Sequence, residues 1–84
     1  MRDRATNMNH LGKYIRTHRL RAKLTCEELG RVVGKTRQQI SQVELGKNSV
    51  NIYDLFKICK VLRCSYRKAM DAMTEDVKEK MERQ

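Results

Sequence analysis

The chain has 84 residues, 35% of them charged, no proline, four aromatic side chains and a formal net charge of +9. That length makes one domain, and the low aromatic content beside so much charge favours an all-helical fold over a sheet. No run approaches the roughly 20 apolar residues a membrane span needs, and the N-terminal MRDRATNMNH lacks an apolar signal-peptide core, so the cytoplasm is the expected location.

The charge is unevenly placed. Residues 1–47 hold eleven Lys or Arg against four acids, whereas residues 48–84 hold eight against six. A concentrated basic surface points to a polyanion, nucleic acid first and acidic membrane second. Cys26, Cys59 and Cys64 are an odd number without CxxC spacing, and neither His10 nor His18 stands at a zinc-ligand interval from them. Reduced thiols are expected, with no disulfide framework, no metal and no cofactor.

Residues 1–8 carry no apolar period and read as a flexible basic arm; Arg2 and Arg4 are either merely solvated or contact DNA. The first helix is expected from about His10 to Ala22, capped by Asn9, with Leu11, Ile15 and His18 on one face. His18 reads as a half-buried packing residue rather than a ligand. This helix lacks a glycine at its end, where Lys23 stands.

Two capping boxes follow at fixed spacing. Thr25 precedes Glu28 by three residues, and Thr36 precedes Gln39 by three. Gly34 and Gly46 can end the helices so started by adopting a left-handed conformation. The run therefore reads as a helix over Cys26–Val33, a short turn, and a helix over Arg37–Leu45, which is the outline of a helix-turn-helix. Leu29, Val32 and Val33 are expected on the inner side of the first of these, and Ile40 and Val43 on that of the second. Gly30 in mid-helix suggests the close approach of another helix. The outer face of the second carries Arg37, Gln38, Ser41 and Gln42, polar but nearly uncharged, and Arg and Gln make bidentate hydrogen bonds to base edges.

A fourth helix should start after Asn51, with Asp54 favouring its N-terminal dipole. Its Ile52, Leu55, Phe56, Ile58, Cys59 and Leu62 form the richest apolar surface of the chain and should lie across the core. Ser65 can cap a fifth helix, on which Tyr66, Met70, Met73 and Val77 recur at helical spacing, with Met81 one turn on. Thr74 could cap a separate last helix, which leaves the continuity of this segment open. Met73, Val77 and Met81 either close the monomer's own core or form a dimer contact. The chain thus divides into a basic arm over 1–8, a helix-turn-helix domain over 9–70, and a C-terminal helical extension over 71–84.

From Leu11 to Met70 these residues together resemble the Cro/C1-type, or XRE-like, helix-turn-helix repressor domain. The resemblance rests on Ile15-Arg16 and Arg19, Leu24-Thr25, Glu27-Glu28-Leu29, Gly34, Ile40-Ser41, Glu44, Gly46-Lys47, Asn51, Leu55 and Leu62. Short phage repressors are similar in a recognition helix that opens with Thr and then glutamines, as Thr36-Arg37-Gln38-Gln39 nearly does. The controller proteins of restriction–modification systems are similar in size and in a C-terminal helix used for dimerisation. The resemblance implies an all-α, five-helix lambda-repressor-like domain. It further implies that Arg37, Gln38 and Gln42, with Ser41, face base edges in the major groove. Thr25, Thr36 and Lys47 match phosphate-holding positions, and Arg19 and Glu44 match a structural ion pair. Cys26 stands where the family usually has a phosphate-packing Gln, so the phosphate contact expected there is altered. A thiol at a helix N-terminus among cations has a second reading as a redox-reactive group.

The expected function is that of a sequence-specific, double-stranded DNA-binding transcriptional regulator, repressor-like and without catalysis. It would act as a homodimer on an inverted repeat, by occlusion or by recruitment of RNA polymerase. The alternative is an antitoxin, which would bind a toxin through the Met-rich C-terminal stripe or the arm and regulate its own operon. The catalytic constellations and phosphate-cradling glycine loops of enzymes are missing from the sequence, and RNA binding is disfavoured by the lack of an aromatic stacking platform.

Overall fold

The computed structural model describes residues 8–82 of the chain, so all of the expected basic arm except Met8 lies outside it. Five helices follow in order: α1 (His10–Arg21), α2 (Cys26–Val33), α3 (Arg37–Glu44), α4 (Ile52–Leu62) and α5 (Tyr66–Glu82), with no strand among the described residues. No described helix is long and apolar enough to cross a membrane.

Each helix start has a side-chain cap that satisfies part of its orphan backbone donors. Both capping boxes form: the Thr25 hydroxyl accepts from Glu28 N at 3.0 Å while Glu28 Oε1 accepts from Thr25 N at 2.8 Å. Thr36 and Gln39 repeat the arrangement at 3.1 and 2.9 Å. Asn51 caps α4 by accepting from Asp54 N, and Ser65 accepts from Lys68 N at the start of α5. The start of α1 draws on a distant residue as well as a local one. Asn9 Oδ1 accepts from Gly12 N, and the two carboxylate oxygens of Asp76 accept from His10 N and Leu11 N at 2.7 and 3.0 Å. His10 Nε2 also meets Glu79 Oε2 at 2.7 Å. The second half of α5 is thereby clamped to α1, and α5 is one unbroken helix through Thr74, whose hydroxyl donates to the Met70 carbonyl.

The core forms from one stripe of each helix. Ile15, Leu29, Ile40, Leu55 and Ile58 are its fully buried large side chains, with Leu11, Val33, Val43, Val50, Cys59, Leu62 and Ala69 around them. Burial of each such aliphatic side chain contributes on the order of 1.5–3 kcal/mol. Val32, expected on the inner side of α2, is 62% exposed. An eight-residue helix has room for one buried stripe, and Leu29 and Val33, four apart, already fill it. Ile52 and Phe56 at the start of α4 are likewise exposed, although Phe56 packs edge-on against Tyr66.

Backbone proximity explains two glycines. A Cβ on Gly30 would lie 2.4 Å from the Lys35 carbonyl oxygen, so the close neighbour is the turn entering α3 rather than another helix. A Cβ on Gly12 would lie 2.0 Å from the Glu44 carbonyl oxygen, which marks where α1 and α3 touch. Elsewhere the chain accepts strain: Lys23 after α1 and Arg63 after α4 take φ of 60° and 56°, the left-handed region that glycine adopts more readily.

Candidate nucleic-acid interface

The angle between α2 and α3 is set from inside. Arg19 on α1 reaches across to Glu44 on α3, with Nε 2.6 Å from Oε2 and Nη2 3.0 Å from Oε1, while Nη1 donates to the Leu24 carbonyl at 2.8 Å. Both residues are buried, at 6% and 2% exposure. The Glu44 carboxylate bonded to Arg19 holds the guanidinium pKa above its ordinary value, against the opposing effect of burial. Bidentate geometry fixes distance and direction together, so the pair orients α3 relative to α1 and to the Leu24 carbonyl leading into α2.

With its inner face held, α3 presents the opposite face outward. Arg37 and Gln38 are exposed and form no side-chain hydrogen bond or ion pair within the described residues. Gln39 is withdrawn into the capping box. Ser41 and Gln42 are half-buried on the same helix. Gln42 is also the anchor of the turn that follows: its carbonyl accepts from Lys47 N at 2.9 Å, and its side-chain amide bonds with Asn48. Asn48 went unremarked in the sequence, because nothing local signals that the turn folds back onto α3.

Arg19, Thr25, Cys26, Arg37, Ser41 and Glu44 come together around one cavity of about 500 Å³, which Arg16 and Lys23 also line. Lys47 is separate, lining a second cavity of about 770 Å³ with Asn48, Val50, Met73 and Val77. The Thr25 and Thr36 hydroxyls are each used as acceptors by the caps and keep their own hydrogen to donate. Their backbone N–H groups are occupied by Glu28 and Gln39.

The Cys26 thiol is half-buried and lies 4.0 Å from Glu44 Oε1. Burial and the Glu44 carboxylate push its pKa up, outweighing Arg19, Arg16 and Arg37, which act to lower it. This direction runs against the reading of Cys26 as a redox-reactive thiol. Cys59 is buried within the core, its thiol pushed up to about 12 by desolvation.

The C-terminal stripe is divided by the fold. Met73 packs against the monomer's own core, while Val77 and Met81 are 51% and 69% exposed.

The comparisons with known proteins agree with this arrangement. Residues 15–68 match the helix-turn-helix family. No curated protein sequence matches the chain. Among solved structures, the chain is similar to the P22 c2 repressor, determined in complex with a synthetic operator. The two share 32% identity over 70% of this chain and 89% of that one, with a TM-score of 0.66. The restriction–modification controller protein C.AhdI from Aeromonas hydrophila matches with 24% identity over 81% of this chain and 99% of that one, with a TM-score of 0.68. The clp gene regulator ClgR from Corynebacterium glutamicum matches with 21% identity over 89% and 85%, with a TM-score of 0.70. At that level of identity the last two share the fold. With the family matched over most of its length and the five-helix fold in place, the chain belongs to the Cro/C1-type (XRE-like) helix-turn-helix family of DNA-binding transcriptional regulators.

Proposed function

We propose that this protein is a repressor-like regulator that binds an inverted repeat in duplex DNA as a dimer, with α3 lying in the major groove. The observation that carries the reading is the division of labour on α3. Ile40, Val43 and Glu44 are buried and Gln39 caps, which leaves Arg37 and Gln38 exposed side by side, with Ser41 and Gln42 behind them. Arg pairs bidentately with guanine and Gln with adenine. The P22 c2 repressor, the similar protein at 32% identity, was solved on operator DNA.

Affinity would come chiefly from phosphate contacts, and sequence preference from the base edges. The Thr25 and Thr36 hydroxyls and the Lys47 ammonium are the phosphate ligands of this reading. Cys26 contributes only its backbone N–H, in the first turn of α2. A two-fold dimer would place its two α3 helices about 34 Å apart, one turn of DNA. Selection of bound sites from random duplex DNA, followed by sizing of the complex, tests the proposal. An enriched palindrome bound by two chains is expected. Salt-sensitive binding to every sequence without enrichment would reject it.

A further inference from the structure

Spacing along the chain offers no metal site, but the fold gathers one set of ligand-type side chains at the start of α1. His10 Nε2 and a carboxylate oxygen from each of Asp76 and Glu79 all lie within 4.8 Å of one another. The two acids are 66 and 69 positions from the histidine, and they stand on one face of α5 because they are three apart. His10 and Glu79 are half-exposed and Asp76 is partly buried. The carboxylates of Glu79, Asp76 and Glu75 all act on the His10 ring, which makes this a negative spot on a chain of net charge +9. Capping uses only part of the cluster. Each Asp76 oxygen accepts one backbone N–H, from His10 and from Leu11, whereas an ionised carboxylate has about four lone-pair sites. The two backbone donors hold the group in place, as the outer hydrogen bonds of metal ligands do.

We propose that His10, Asp76 and Glu79 form a binding site for a divalent first-row transition ion of the Zn²⁺ kind, bridging the first turn of α1 and the second half of α5. An imidazole nitrogen selects such ions over Mg²⁺ and Ca²⁺, which prefer oxygen ligands throughout. Two carboxylates balance the charge of the dication, and three protein ligands leave a fourth tetrahedral position to water. Zinc bonds of about 2.0–2.1 Å put ligand atoms about 3.4 Å apart. The half-exposed His10 and Glu79 side chains, now 2.7 Å from each other, reach that spacing by small rotations that part them and bring them toward Asp76. The ion takes the Nε2 lone pair in place of a proton, which passes to solvent from the charged ring or to Nδ1 in the neutral one. An ion so held fastens α5 to α1 beyond what the existing hydrogen bonds do.

The test uses the full chain, freed of metal by a chelator, with Zn²⁺ as the probe above neutral pH. Calorimetric titration should show one ion bound per chain, and Zn²⁺ should raise the thermal unfolding midpoint. Glu79→Gln and His10→Ala both leave the Asp76 cap in place. Each should weaken binding by at least about tenfold and remove the rise in the midpoint. Asp71→Asn, which changes an acid on the same helix outside the cluster, should bind as the parent does. An excess of Mg²⁺ of about hundredfold should not displace the ion. Cys26, Cys59 and Cys64 are the competing ligands in the chain, so a second titration uses Co²⁺. Weak visible bands without an intense thiolate-to-cobalt band in the near ultraviolet are expected. Binding left unchanged by Glu79→Gln and His10→Ala, a thiolate band, or a midpoint that Zn²⁺ does not raise overturns the proposal.

Discussion

Arg19 and Glu44 meet in a buried, two-point ion pair that ties α1 to α3, and the same guanidinium holds the Leu24 carbonyl at the entry to α2. Removing one partner strands a charge in the core, which typically costs about 3–5 kcal/mol. Glu44→Gln should therefore lower the urea midpoint sharply, and Arg19→Met should do the same. The double variant should recover part of the loss. Additive losses in the two singles and the double would show that the residues act separately.

The contact between Gly12 and the Glu44 carbonyl is the next constraint. Gly12→Ala would drive a methyl group into backbone, and overpacking of that kind costs about 1–3 kcal/mol. Thermal unfolding should register this cost although alanine is the better helix former. An unchanged midpoint would mean that α1 and α3 separate freely here.

Arg63 takes a left-handed conformation that costs a residue with a side chain about 1–2 kcal/mol. Glycine removes that strain but gains freedom in the unfolded chain. Arg63→Gly should raise stability by a net of about 0.5–1 kcal/mol, measured by denaturant titration. A loss of stability would show that the arginine side chain makes an interaction outweighing the strain.

The two histidines should titrate in opposite directions from 6.5. Glu79, bonded to the His10 ring, raises its pKa, with Asp76 and Glu75 adding to the effect, whereas burial and then Arg21 and Lys68 lower that of His18. Because the folded pKa of His10 is raised, its contribution to the α1–α5 clamp is fully present below 6.5 and is lost as pH rises through the folded value. His18 has the opposite sense: its neutral form is favoured in the fold, so its contribution is fully present above 6.5 and is lost as pH falls through the lowered folded value. NMR titration of both rings checks the order, and His18 titrating above His10 would contradict the geometry.

On DNA, the proposed base and phosphate ligands should separate cleanly. Gln38→Ala is expected to relax preference at one base pair at a cost of about 1–3 kcal/mol. Lys47→Ala should weaken binding to all sequences alike and flatten the salt dependence. Asn48→Ala should mimic a partial loss at Gln42, because it removes the partner holding that side chain. Quantitative binding to a set of single-base operator variants distinguishes these outcomes, and a base-specific loss in Lys47→Ala would count against its assignment.

The local signals in the chain were sufficient for the elements themselves. Thr-x-x-Glu and Thr-x-x-Gln mark the starts of α2 and α3 because a cap is a matter of three residues. Apolar spacing assigns Ile15, Leu29, Ile40 and Leu55 to the core because helical periodicity is local too. It also left Gln38 exposed and Gln39 committed to a cap.

Tertiary structure decided what no window of sequence contains. It exposed Val32, because a short helix buries one stripe. It brought Asp76 from 65 residues away to satisfy the first donors of α1, and it set the Cys26 thiol beside Glu44. It packed Met73 inward while leaving Val77 and Met81 outside. Caps and periodicity are written in neighbouring residues; which side chain a carboxylate or thiol finally meets depends on how the helices cross, and that depends on every contact between them at once.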